Sequence, residues 1–295
     1  MSIESFEQIE AAMQTLVSNI NKGEEIALDE LSSTPALKMA YETALLDLES
    51  EEAFRIFDCD FLKGKPIAIN GLIWMGEKGF MLDQIKQKIS SGFRCIKIKV
   101  AAIELVEEIK LIKYIREQFS EDDLQIRLDA NGGFDNNSCL ETLQRLSQYG
   151  IHSIEQPIKQ GQAERMAELI TQSPIDIALD EELIGVRGLS ERRELLKTII
   201  PDYIILKPSL IGGFAESDEW ISICEASGIQ WWATSALESN VGLNAIAQWC
   251  SIKDNPMYQG LGTGQLFENN IDSPLRIENA ALEYSEDPWD ISIFK

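Results

Sequence analysis

The chain has 295 residues, of which 44% are hydrophobic, and a formal net charge of -23. Such a chain can bury a large core, and one α/β barrel with a small appendage fits its length. Nucleic acid is excluded as a partner, because holding a polyanion needs a basic face and the sequence has no basic cluster. Membrane association is excluded too: the N-terminus is acidic and amphipathic, and no apolar run is long enough to span a bilayer. A soluble, cytoplasmic protein is expected. The cysteines Cys59, Cys95, Cys139, Cys224 and Cys250 are odd in number and contain no C-x-x-C pair. They predict reduced, buried thiols rather than disulfides or a zinc site.

In chain order, residues 5–21 place Phe6, Ile9, Met13, Leu16, Val17 and Ile20 at helical spacing, with Ser5 and Gln8 set as a capping box. A second helix is predicted to start at Thr34 and Pro35, Thr34 serving as cap, and to run through Leu37, Tyr41, Leu45 and Leu48. From Pro66 onward short apolar runs alternate with helical patterns. Strands are predicted near 67–74, 95–100, 125–130, 152–156, 176–180, 202–207, 229–234 and 257–261. Their spacing suits successive βα units, so the expected fold class is α/β, a (β/α)8 TIM-type barrel. An open doubly wound sheet is the alternative, but its Gly-rich phosphate loop is absent.

Five consecutive predicted strands, from the second to the sixth, carry charge at or near their C-terminal ends: Lys97 and Lys99, Asp129, Glu155, Asp180 and Lys207. Side chains alternate across a strand, and the flanking residues Ile96, Ile98, Val100, Leu128, Ile154, Leu179 and Leu206 on the opposite register are all apolar. The charges therefore face the barrel interior at its C-terminal mouth, where barrel enzymes hold their active sites. A lone charge of this kind is usually an internal salt bridge; six together point to a site.

Glu155 follows Asp129 by 26 residues and Asp180 follows Glu155 by 25. Three carboxylates on adjacent strands repel one another unless a cation sits among them, and an all-oxygen set favours Mg2+, with Mn2+ as an alternative, over zinc. Structural calcium would leave the lysines without a role. Partial burial, a neighbouring lysine and a divalent cation would lower a lysine's pKa and make it a base. Lysines on opposite sides of a metal suit removal of a proton next to a carboxylate. A Schiff-base role for Lys207 needs no carboxylate trio. His152, the one histidine, is expected to point outward beside Ile154, which argues against a nucleophile–histidine triad. Asp135, Glu181 and Glu182 read as supporting loop groups.

These motifs carry a family resemblance. I-K-I-K at 96–99, R-L-D-A-N-G-G-F at 127–134, I-E-Q-P at 154–157, L-D-E at 179–181, L-K-P-S-L-I-G-G at 206–213, S-A-L-E-S-N-V-G-L at 235–243 and G-L-G-T-G-Q-L-F at 260–267 resemble the enolase superfamily. Within it, the chain is most similar to the o-succinylbenzoate synthases of menaquinone biosynthesis, in the branch with K-x-K and a sixth-strand lysine. The resemblance implies Mg2+-dependent dehydration of 2-succinyl-6-hydroxy-2,4-cyclohexadiene-1-carboxylate to 2-succinylbenzoate. It implies Asp129, Glu155 and Asp180 as metal ligands, Lys99 as acid/base, Lys97 as the residue that tunes it, and Lys207 as the stabiliser on the other face. Arg127 and Asn131 would support the substrate or the metal shell. Ser235, Glu238, Ser239 and Gly262 would receive the succinyl tail through backbone donors.

Relative to that family, the strand meander that opens the capping domain is not seen before the first helix. The expected organisation is a shortened helical remnant of the cap with a linker (1–65), the catalytic barrel (66–270) and a C-terminal segment returning to the cap (271–295). A site left wet by a reduced lid predicts weakened activity or altered specificity, and exposed apolar helix faces could pair between subunits. Two other functions fit the sequence: a racemase or epimerase of N-acylamino acids or dipeptides using both Lys99 and Lys207, and a catalytically silent barrel.

Overall fold

A computed structural model describes residues 2–264 and 266–292. Helices α1 (Phe6–Asn21) and α2 (Pro35–Glu49) precede β1 (Ile67–Ala68) and β2 (Gly71–Ile73). Then follow α3 (Lys78–Ser90), β3 (Cys95–Lys99), α4 (Leu105–Arg116), β4 (Gln125–Asp129), α5 (Cys139–Leu146), β5 (Ile151–Glu155), α6 (Ala163–Gln172) and β6 (Asp176–Leu179). The chain continues through α7 (Gly188–Ile199), β7 (Tyr203–Leu206), the short α8 (Pro208–Ile211), α9 (Phe214–Ser227), β8 (Gln230–Ala233) and α10 (Asn240–Lys253) to a hairpin of β9 (Leu275–Glu278) and β10 (Ala281–Tyr284). Among the described residues no helix is long and apolar enough to cross a membrane.

Strands β2 to β8 form one parallel sheet in chain order. The circle is completed at 259–260: Ile69 bridges Gln259 and Thr234 bridges Gly260, both in parallel sense. The α/β barrel expected from the βα rhythm is therefore present, with two corrections at its seam. The predicted first strand divides, its first part pairing antiparallel with β10 rather than within the barrel. The predicted last strand contributes only bridges, since Pro256 before it and Gly260, Gly262 and Gly264 within and after it are poor ladder residues. Alternation holds elsewhere: Ile96, Ile98, Leu128, Ile154, Leu179 and Leu206 are buried between sheet and helices. Inside the lower barrel, Ala178, Tyr203, Ile205 and Trp232 form a separate apolar plug.

The N-terminal helices are fastened by polar contacts. Ser5 caps α1 as expected: its Oγ accepts from Gln8 N at 3.2 Å, while Ser5 N donates to Gln8 Oε1 at 2.7 Å. Pro35 opens α2, but Thr34 does not cap it; Glu4 Oε1 accepts from Ala36 N at 2.9 Å instead. Thr34 turns its hydroxyl back to Leu31 O, which removes it from the capping position. Glu42 of α2 then reaches the N-terminus of α9, accepting from Phe214 N at 2.6 Å and Ala215 N at 3.0 Å. Behind it Lys38 and Arg192 both pair with Glu216. At the other end Trp289 stacks on Phe54 with ring centroids 4.5 Å apart, and Tyr284 meets Phe61 edge-on. All five cysteines are free and buried.

The Glu42 clamp joins elements 172 residues apart in sequence. Replacing Glu42 by alanine leaves two helix N–H groups without their acceptor and is expected to lower stability by about 2 kcal/mol in urea unfolding. An unchanged midpoint would mean that the clamp does not hold α2 to the barrel.

Candidate active site

Lys99, Asp129 and Glu155 stand level on neighbouring strands, each the direct parallel partner of the next. Lys97 lies one pleat below, level with Arg127. Asp180 and Lys207 immediately follow β6 and β7. The six side chains form one ion network. Lys97 Nζ donates to Asp129 Oδ2 at 3.0 Å and Glu155 Oε2 at 2.8 Å; Lys99 Nζ donates to Asp129 Oδ2 at 2.6 Å and Asn131 Oδ1 at 2.6 Å. Lys207 donates to Asp180 Oδ2. All six are buried.

Burial and neighbouring charge together shift Lys97, Lys207, Asp129 and Glu155. Burial opposes the charged form of Lys97, but Asp129 and Glu155 more than offset it and hold this ammonium above its ordinary pKa. Lys207 is likewise raised, burial being outweighed by Asp180 and Glu155. The lowering expected from sequence rests on a divalent cation among the carboxylates, whose charge would oppose these attractions. Asp129 is held below the usual carboxylate range: burial raises it, and Lys97 and Lys99 more than reverse that. Glu155 is pushed up by burial and then by Asp129, despite its bond to Lys97.

Among the described residues no three His, Cys, Asp or Glu side chains converge closely enough to hold a metal ion. The carboxylates are drawn onto the lysines instead. The donor set nevertheless fits a hard divalent cation: three carboxylates on neighbouring strands, with Glu155 Oε1 buried and meeting no hydrogen-bond donor.

A second ring holds the first in place. Gln156, fully buried, accepts from Asp180 N at 3.2 Å and Glu182 N at 3.3 Å while donating to Ile158 O and Glu182 Oε2. Asn131 Nδ2 donates to Glu181 Oε1 at 2.8 Å. Glu181 and Glu182 are supporting groups, as expected, though buried rather than solvated. The chain leaves these strands through left-handed backbone at Ala101, Asn131 and Gln156. Gly132 follows with φ +71°, and a Cβ there would come within 2.9 Å of Lys159 Cα, so D-A-N-G-G-F requires glycine at this position.

Above the network lies a cavity of about 240 Å³ whose walls include Lys97, Lys99, Lys207, Ser235 and Gly262. Leu72, Trp74, Leu210 and Leu237 give it an apolar wall. Asn70 and Thr234, which sequence reasoning missed, also line it, and Asn70 Oδ1 and Thr234 Oγ1 are buried with no partner. Parity could have flagged Leu72 and Thr234: Leu72 is level with Lys97, and Thr234 directly follows the partner of Leu206 as Lys207 follows Leu206.

Other predicted substrate residues are placed differently. Arg127 lies below the network, over the Trp232 ring at 3.9 Å and donating from Nη1 to Tyr258 O. It is two residues before Asp129, and so one full pleat too deep for the mouth. Glu238 folds back on its own loop, accepting from Ser235 Oγ at 2.6 Å and from Ala236 N. Three of the backbone donors expected for a succinyl tail are engaged within the protein: Ser235 N bonds Gly260 O, Ala236 N bonds Glu238, and Leu237 N bonds Ser235 Oγ. Ser239 is the residue before α10 and does not line the cavity.

His152 departs from its expected outward position. The register between β4 and β5 shifts there, Ile126 pairing with Ile151 and Arg127 with Ser153, so His152 is the unpaired bulge residue. It packs against Tyr203, ring centroids 5.1 Å apart, at the base of the barrel and away from the lysines.

Comparison with known proteins accords with this geometry. Residues 81–288 match the family described as Enolase C-terminal domain-like, and the chain belongs to that family. It is 51% identical over 252 residues to an o-succinylbenzoate synthase of Desulfotalea psychrophila, a match spanning 85% of this chain and 68% of the relative. A hydrophobic dipeptide epimerase of Enterococcus faecalis is 29% identical over 259 residues, covering 85% of this chain and 71% of the relative. In three dimensions the crystal structure of MenC from D. psychrophila superposes with a TM-score of 0.80 at 46% identity, over 94% of this chain and 74% of that one.

Burial, reinforced by Arg127, lowers the His152 pKa from 6.5 to about 4. The unfolded chain therefore binds a proton that the folded chain refuses, so this contribution is complete above pH 6.5 and is lost as pH falls toward 4. After allowance for partial exposure the loss is about 1–2 kcal/mol. Urea unfolding of wild type and His152→Leu across this range should show a shallower pH slope in the variant; parallel slopes would refute the assignment.

Proposed function

We propose that the barrel catalyses the o-succinylbenzoate synthase reaction, dehydration of 2-succinyl-6-hydroxy-2,4-cyclohexadiene-1-carboxylate to 2-succinylbenzoate in menaquinone biosynthesis, in the cytoplasm. The observation that carries this reading is the pairing of 51% identity to a synthase with three lysines that line one cavity and donate to Asp129, Glu155 and Asp180 beneath it. Asp129, Glu155 and Asp180 would hold Mg2+, or Mn2+, which when bound supplies positive charge for the substrate carboxylate and for the negative charge that develops beside it.

This chain's residues then divide the proton and charge handling. Lys99, as the free amine, takes the proton from the ring carbon bearing the carboxylate. The C–O bond at the neighbouring carbon breaks, the electron pair closes the aromatic ring, and Lys99 returns its proton to the departing hydroxide as water. Lys97, already shared between Asp129 and Glu155, keeps positive charge beside Lys99. Lys207, on the far side of the cavity, keeps its ammonium toward the developing negative charge. Leu72, Trp74 and Leu237 give the hydrocarbon ring an apolar wall and exclude water from it.

A second reading, dipeptide epimerisation, is favoured by one observation: Lys99 and Lys207 both border the same cavity, as an enzyme that moves a proton from one face to the other needs. The two are separated by a spectroscopic assay with Mg2+ and the cyclohexadiene substrate, followed by hydrophobic dipeptides. Dehydration is expected, falling by about 10³-fold or more in Lys99→Ala. Undiminished turnover in that variant would defeat the mechanism, and epimerisation without dehydration would replace the reading with the second.

A further inference from the structure

At the end of the barrel opposite the lysines, a recess of about 640 Å³ opens among the strand starts. Arg127 and His152 form part of its wall, and the exposed Glu121, Asp122 and Asp123 border it. Arg127 is 1% exposed and makes no salt bridge among the described residues. One nitrogen, Nη1, is satisfied by Tyr258 O at 2.9 Å, and one face of the guanidinium lies on Trp232. Nε and Nη2 are buried and meet no acceptor. These two nitrogens form one edge of the guanidinium, the edge whose parallel N–H groups match the two oxygens of a carboxylate or phosphate.

Charge count inside the barrel points the same way. Four basic side chains, Lys97, Lys99, Arg127 and Lys207, face inward with three carboxylates, Asp129, Glu155 and Asp180, and each carboxylate already accepts from a lysine. Arg127 is the member of the set left without a counter-ion, and a buried cation without one is costly. Arg127 lines the recess, so a small anion entering there needs only a short side-chain adjustment to meet that edge, while the neighbouring acids disfavour polyanions.

We propose that the N-terminal end of the barrel is a second ligand site, in which Arg127 presents its Nε and Nη2 edge to a small oxyanion, a carboxylate or a phosphate. The site is separate from the catalytic mouth and lies on the other side of the ion network.

The test is calorimetric titration with acetate and with inorganic phosphate at fixed ionic strength, using wild type, Arg127→Gln and Lys99→Ala. Saturable binding of one anion per chain is expected, changed less than twofold in Lys99→Ala, where the mouth is altered, and weakened at least tenfold in Arg127→Gln. Should Arg127→Gln not fold, the Nε–H resonance of Arg127 in 15N-arginine-labelled wild type gives the same answer by shifting saturably with the anion. Saturation by phosphate alone, or acetate alone, identifies the preferred oxyanion. No saturable binding with an unmoved resonance, binding that survives Arg127→Gln, or binding abolished in Lys99→Ala would each overturn the proposal.

Discussion

The structure depends on one constraint: six ionisable side chains buried at the ends of five neighbouring strands must compensate one another. An unpaired ion in such a place costs several kcal/mol. Asp129 meets this by accepting from two ammonium groups, Lys97 by spanning Asp129 and Glu155, and Lys207 by pairing with Asp180. The pairs cross from strand to strand, so each fixes the register of its neighbours. A slip by one residue would turn Lys97 and Lys99 into the apolar layer beneath the helices and bring Ile96 and Ile98 into the mouth.

Compensation is incomplete at one position. Glu155 remains pushed above its ordinary pKa although Lys97 touches it, because burial and Asp129 together outweigh one ammonium. Lys97 and Lys99 donate to Asp129, and Lys207 donates to Asp180, so each of these carboxylates is held by at least one ammonium. Orientation comes from the ring outside: Gln156 fixes the backbone of Asp180, and Asn131 ties Lys99 to Glu181. The left-handed exits at Asn131 and Gln156 are the backbone cost of aiming these amides inward.

Strand alternation made the ion network legible in the sequence, since a charge at the end of an apolar strand has few places to go. Lys97, Lys99, Asp129, Glu155, Asp180 and Lys207 all follow from that pattern. Depth within the barrel was less visible. Arg127 has the same parity as Asp129, yet two residues along a strand carry it from the mouth to the interior. His152 was misplaced because a bulge between β4 and β5 changes parity locally, and nothing in I-H-S-I-E marks it. In the loop at 235–239 two backbone donors, Ala236 N and Leu237 N, are taken by Glu238 and Ser235, a pattern that depends on the folded turn. The cap of α2 was assigned to Thr34 from proximity, whereas Glu4, far from it in sequence, supplies it.

The N-terminal helices bear on the site through the same kind of charge placement. Glu42 accepts from the first two amides of α9, and Lys207, the residue after β7, is separated from that helix only by residues 208–213. That segment is tightly wound: Gly213 has φ +108°, and a Cβ there would lie 2.0 Å from Glu42 Oε2, so the clamp can close only over glycine. Lys38 and Arg192 add a second attachment through Glu216 on the same helix. The segment that carries Lys207 is thus held from the inside by Asp180 and from the outside by α2. A helix pair that contributes no ligand to the ion network still helps decide where one of its three lysines stands.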